Sequence, residues 1–173
     1  MIVDLIKLGG DGVDFDWEHM SQDPTKADQL RKTMASVLLK TRETLDAAGL
    51  TDAKIGYTTR FNAFWDNDTR PEGFKVFASD GEGLSIDAEM KAKAGKSLSD
   101  VVDWINIMMY DTAPTDIGGK ATGLELDQYE LVLDHFAKSE HKDKIVMGFE
   151  PGYQASGGLW EGTKVDEQVV DYV

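Results

Sequence analysis

The amino-acid sequence predicts an α/β fold in which parallel strands are joined by helical crossovers. Three observations lead there. Four short apolar segments alternate with helix-like stretches, the pattern of a parallel sheet wound through helices. Acidic residues recur at the carboxyl ends of these strands, where a barrel collects its functional groups. No glycine-rich phosphate fingerprint is found, and an open doubly wound sheet, the competing arrangement, would usually carry one. The expected architecture is a partial (β/α)8 barrel of the TIM type, a single domain over residues 1–173. It is expected to be incomplete at both ends. A closed barrel takes eight strands and about 250 residues, whereas four strands are legible and both ends fall inside helices.

The elements follow in order. Ile2, Val3, Leu5, Ile6 and Leu8 recur at helical spacing and Gly9-Gly10 stop them. An acidic strand over 11–18 comes next. Asp23 is a helix N-cap with Pro24 at the first helical position. Ala27, Leu30, Met34, Val37, Leu38, Leu45 and Ala48 then form the apolar stripe of a long helix that Gly49 closes. Residues 54–59 make a second strand. A polar, aromatic-rich excursion fills 60–95, and connections of that length are functional or carry structure of their own. Ser97 and Asp100 form a capping-box-like start to a short helix. It leads into a third strand over 104–110, with Asp111 at its carboxyl end. Gly118, Gly119 and Gly123 mark a loop. A helix over 126–139 packs through Tyr129, Leu133 and Phe136. The fourth strand spans 145–149 and is broken by Glu150, Pro151 and Gly152. Beyond it, the glycine-rich stretch 152–162 holds Tyr153, Gln154 and Trp160, and 165–173 begins another helix.

The acidic strand reads Asp11-Gly12-Val13-Asp14-Phe15-Asp16-Trp17-Glu18. Side chains alternate between the two faces of a strand. Asp14, Asp16 and Glu18 therefore share one face, and Val13, Phe15 and Trp17 share the other. The apolar face has to be covered, most simply by helices. The acidic face has to line a hollow that solvent or a ligand can fill, because isolated buried carboxylates are very costly. Three carboxylates on one rung also raise each other's proton affinity, so that one stays protonated while a neighbour stays charged. That is the division of labour acid–base catalysis needs. A solvated edge strand is the plainer alternative, but it would not set Val, Phe and Trp in strict alternation opposite the acids. A calcium-binding EF-hand loop is excluded because the acids fall in the wrong register. Asp11 lies on the other parity and reads as a structural residue at the strand entry.

The pattern Asp-Gly-x-Asp-x-Asp-x-Glu resembles the active-site strand of family 18 glycoside hydrolases, the chitinases and endo-β-N-acetylglucosaminidases. All four acidic positions match, at Asp11, Asp14, Asp16 and Glu18. Met108-Met109-Tyr110-Asp111 is similar to that family's Met-x-Tyr-Asp strand end. The resemblance implies units four to seven of the barrel and hydrolysis of β-1,4-linked N-acetylglucosamine polymers such as chitin. It implies a substrate-assisted, retaining mechanism in which the substrate's own N-acetyl carbonyl attacks the anomeric carbon. Glu18 would be the general acid and later the base. Asp16 would orient the acetamido nitrogen, and Asp14 would share a proton with Asp16. Tyr110 and Asp111 would hold the acetamido group, with Met108 on the same face. Glu150 and Gln154 follow the fourth strand and are candidate sugar contacts. Tyr57, Phe61, Trp65 and Trp160 are candidate stacking surfaces, because aromatic faces suit the apolar faces of sugars. Trp160 stands in for the floor tryptophan the family takes from its eighth strand. No metal and no cofactor is implied.

Composition narrows the partners. With 32 acidic and 18 basic side chains the net charge is −14. Such a surface repels nucleic acid and anionic lipid, whereas a neutral polysaccharide suits it. The chain has no cysteine, so disulfides and thiolate metal sites are excluded. His19, His135 and His141 are too scattered to suggest a zinc site. No apolar run reaches the ~20 residues of a membrane span. Residues 1–8 lack the pattern of a signal peptide, although the resemblance implies a secreted protein. A lectin-like module is the competing functional class, disfavoured by the presence of Glu18. Open sheet edges would also favour self-association or pairing with another chain.

Overall fold

The computed structural model describes residues 1–18, 23–72, 74, 76–77, 79–110 and 126–148. Its elements in chain order are α1 (Ile2–Lys7), β1 (Gly12–Asp16), α2 (Pro24–Ala47), β2 (Lys54–Arg60), α3 (Glu82–Ala94), α4 (Leu98–Val101), β3 (Trp104–Met108), α5 (Leu126–Ala137) and β4 (Ile145–Gly148), with a 3₁₀ turn (Lys142–Lys144) leading into β4. The four strands form one sheet in the order β1-β2-β3-β4, parallel throughout. The class is α/β, as expected. The described residues make an open sheet, not a closed barrel. Strand order follows chain order without reversal, so right-handed crossovers all return to one face.

The register assigns every strand residue to a face. Asp14 pairs with Gly56 and Gly56 with Trp104; Asp16 pairs with Thr58, Thr58 with Asn106, and Asn106 with Val146. On the opposite parity stand Ile55, Tyr57, Thr59, Ile105 and Ile107, all fully buried beneath the helices. Val13, Phe15, Trp17, Ile145 and Met147 pack onto the same core from the outer strands. Met34, Ala35, Leu38 and Leu45 of α2 and Ile86 and Met90 of α3 fill its other side. Each fully buried aliphatic side chain of this kind contributes about 1.5–3 kcal/mol.

Local signals fix the helix starts. The Asp23 carboxylate accepts hydrogen bonds from the backbone N–H groups of Thr25 (2.9 Å) and Lys26 (3.4 Å), and Pro24 occupies the first turn. At α4, Asp100 accepts from the backbone N–H of Ser97 at 2.7 Å and from its hydroxyl at 3.0 Å. The long excursion after β2 has structure of its own, including the 13-residue helix α3. Its aromatic residues pack among themselves: Trp65 lies 5.6 Å from Phe61 and 5.4 Å from Phe74, centroid to centroid. Asp80 pins the segment, accepting from Asn62 (2.7 Å), the Trp65 indole (3.2 Å) and Arg70 (2.7 Å). Among the described residues no helix is long and apolar enough to cross a membrane.

One buried charge stands out. Glu82, the first residue of α3, is 2% exposed and faces the phenol of Tyr57 beneath the sheet. Burial pushes its carboxyl up from 4.5 to about 7, against the opposing pull of Arg31 and Arg60. Because the folded-state value exceeds the unfolded one, folding takes up a proton. This stabilisation is complete below pH 4.5 and is lost as pH rises through 7. The shift corresponds to about 3 kcal/mol. Glu82→Gln is therefore expected to raise stability at pH 8 by about 2–3 kcal/mol and to flatten its pH dependence above pH 5. Denaturant unfolding across that range checks it, and an unchanged pH slope would contradict the assignment.

Candidate active site

The acid-bearing face of the sheet is the one the helices leave open. Asp14 and Asp16 are exposed on β1 while Val13 and Phe15 are half-buried against the core. Trp17 continues the pairing, its N–H bonding the carbonyl of Thr58 at 3.0 Å. Glu18 lies just beyond the carboxyl end of β1 and is half-buried. By parity it follows Asp14 and Asp16. Asp11 stands at the strand entry, where its carbonyl accepts from the N–H of Lys54 at 2.9 Å.

Asp14 is held by two neighbouring strands. The Thr58 hydroxyl donates to one carboxylate oxygen at 2.7 Å. The Asn106 amide donates to the other at 3.3 Å and to the Thr58 hydroxyl oxygen at 3.0 Å. Hydrogen bonds to an ionised acceptor are roughly twice as strong as neutral ones. The three side chains thus form a small triangle across β1, β2 and β3. Reaching across β2 is possible because Gly56 has no side chain. A Cβ there would collide with the Asp14 carboxylate and the Trp104 indole nitrogen. Glycine inside a strand commonly marks such a close approach. The Asp14 carboxylate and the Trp104 indole therefore flank the empty position above Gly56.

The carboxyl end of β3 supplies the next group. Tyr110 lies two residues beyond Met108, and its ring covers Gly148 of β4, where a Cβ would meet the ring edge at 3.4 Å. Met108 shares that parity with Asn106 and is 8% exposed. The structure thus brings Asp14, Asp16, Met108 and Tyr110 to one face, with Glu18 next in line. Tyr57 stands apart from them. It is fully buried on the helix side, and burial raises the pKa of its phenol. Phe61 and Trp65 are likewise packed in the core. Asp111, Glu150, Gln154 and Trp160, together with His19, lie outside the described residues.

Thr58, Asn106, Trp104 and Gly56 are members of this face that the sequence reading passed over. Two signals pointed to them. Period-two alternation carries Met108 and Tyr110 back to Asn106 and Trp104, and Gly56 interrupts an otherwise regular strand.

No protein-family model matches the chain, and no curated protein matches it. Among solved structures, the fold is similar to the crystal structure of the Legionella pneumophila ChiA C-terminal domain, with a TM-score of 0.50 and 16% sequence identity over 98% of this chain. The chain spans about half of that domain, 53% of its length. At that identity the likeness concerns the fold.

The geometry around Gly56 yields a direct test. Gly56→Ala forces Asp14 and Trp104 apart, and overpacking of this kind costs about 1–3 kcal/mol. A matching fall in the unfolding free energy, with a change in the near-UV circular dichroism of Trp104, is the expected outcome. Wild-type values for both would contradict the cradle.

Proposed function

We propose that this chain carries the acid strand of a family 18-type glycoside hydrolase acting on β-1,4-linked N-acetylglucosamine polymers. The observation that carries the reading is the placement of Asp14 and Asp16 on the open face of β1, with Glu18 next on the same parity. A strand built this way has its apolar side in the core and its acids where a sugar would lie. The likeness to a domain named ChiA, in an all-parallel sheet whose order follows the chain, supports the same parentage.

In this reading the sheet is part of a barrel whose substrate lies across the carboxyl ends of the strands. Glu18 protonates the glycosidic oxygen as the bond to the leaving sugar breaks. The acetamido carbonyl oxygen of the substrate attacks the anomeric carbon, giving an oxazolinium-like intermediate. Asp16 orients the acetamido N–H and offsets the positive charge that develops there. Water then attacks the anomeric carbon from the vacated side and gives up a proton to Glu18, so configuration is retained. Asp14 shares a proton with Asp16, and Thr58 and Asn106 position Asp14. Tyr110 and Asp111 hold the acetamido group, Met108 lies beside them, and Glu150, Gln154 and Trp160 supply further sugar contacts. The reaction requires no cofactor.

A second reading is favoured by the sheet edges. Among the described residues β1 and β4 each have one unpaired side, and exposed strand edges template pairing with another chain. In that case the chain acts only after association.

Glu18→Gln separates the readings. Proton transfer of this kind contributes about 10²–10⁴-fold in rate, so turnover of a soluble N-acetylglucosamine oligosaccharide is expected to fall by that factor while calorimetric binding persists. Equal turnover in the variant would remove Glu18 from its role. Sedimentation alongside the assay reports whether the active species is a monomer or an assembly.

A further inference from the structure

We propose that Asp87, Glu140 and His141 form a divalent transition-metal site, best suited to zinc, at the end of the sheet away from the acidic face. His141 lies just before β4 and is 1% exposed. Its Nδ1 is 2.6 Å from the hydroxyl of Ser99 in α4, which fixes the ring orientation. Its Nε2 is fully buried and has no hydrogen-bond partner. A buried polar atom left unsatisfied costs about 1–3 kcal/mol, so a ligand bound to this nitrogen would remove that cost.

What Nε2 faces is anionic. One Asp87 carboxylate oxygen lies at 3.7 Å and one from Glu140 at 3.8 Å. The ligand atoms of all three residues lie within 4.8 Å of one another. A tetrahedral zinc with bonds of about 2.0–2.1 Å requires donor atoms roughly 3.3–3.5 Å apart. The two histidine–carboxylate separations need a contraction of a few tenths of an ångström, and the two carboxylates, within 4.8 Å of each other, close through rotation of the exposed Glu140 side chain. Imidazole with two carboxylates and an open fourth position is a donor set that zinc accepts. In the tautomer that donates Nδ1–H to the Ser99 hydroxyl, Nε2 presents its lone pair inward, the arrangement that orients metal-binding histidines.

Lys91 defines the competition. Its ammonium bridges Asp87 at 2.7 Å and Glu140 at 2.8 Å. It stands as the cation that a metal would displace, and its half-exposed side chain has open solvent to swing into. The backbone N–H of Leu98 donates to Asp87 at 2.6 Å and keeps that carboxylate in place. A bound ion would therefore tie α3, the start of α4 and the turn before β4 together, a structural role independent of chemistry on the other end of the sheet.

Cobalt(II) added to the chelator-treated chain tests the site through its visible absorption, with zinc displacing it. The expected result is a four-coordinate cobalt spectrum in the wild type and tighter uptake in Lys91→Met. Glu140→Ala alters an exposed side chain, and it should weaken uptake by about tenfold or more. Zinc should also raise the thermal midpoint of the wild type and fail to do so in Glu140→Ala. Absence of the spectrum in both wild type and Lys91→Met would overturn the proposal, as would uptake indifferent to Glu140→Ala.

Discussion

A parallel sheet in register shares one parity across all its strands, and that constraint governs the rest of this molecule. Once Asp14 is paired with Gly56 and Gly56 with Trp104, the face of every other strand residue is decided. A slip of one residue in β1 would turn Val13, Phe15 and Trp17 to the open side and bury the acids. Burial of the apolar set and exposure of the acidic set are thus one event. The core beneath, with Ile55, Ile105 and Ile107 fully enclosed, is what makes the acidic face rigid enough to position side chains. The triangle of Asp14, Thr58 and Asn106 is a consequence of that register.

Much of this was legible in the sequence where the signal is local. Asp23 before Pro24 and Ser97 before Asp100 start helices because their side chains meet nearby backbone N–H groups, whatever the tertiary fold. The strict alternation of residues 13–18 gave the two faces of β1. The helix α3 was hidden because its buried side carries Glu82, Gly83 and Asp87 among Ile86 and Met90, so no apolar stripe announces it. Those polar residues are buried for reasons of tertiary structure: Asp87 accepts the N–H of Leu98, and Glu82 sits under β2. Tyr57 was assigned to the substrate side by its nearness to a strand end. Its parity with Ile55 places it in the core, which the alternation of β2 already contained. The expected arrangement, from the family resemblance and from acids at strand ends, is a partial barrel incomplete at both ends. Pairing between distant strands leaves no local mark, and the described residues form an open four-stranded sheet.

The two ends of the sheet divide the labour. The carboxyl end gathers Glu18 and Tyr110 near the acidic rung. The amino end gathers His141, Ser99, Asp87 and Lys91, groups drawn from three separate segments and held together by short polar contacts. The aromatic packing of Phe61, Trp65 and Phe74, pinned by Asp80, occupies the excursion after β2. Aromatic residues there serve the core of the domain, and the open face depends on them indirectly, through the rigidity of β2.

The chain contains no native cysteine, which makes single-cysteine scanning of β1 an uncluttered probe of its two faces. Thiol modification rates measured separately for Val13→Cys, Asp14→Cys, Phe15→Cys and Asp16→Cys should alternate, fast at 14 and 16 and several-fold slower at 13 and 15. Rates that fail to alternate, or that alternate in the opposite sense, would contradict the placement of the acids on the open face.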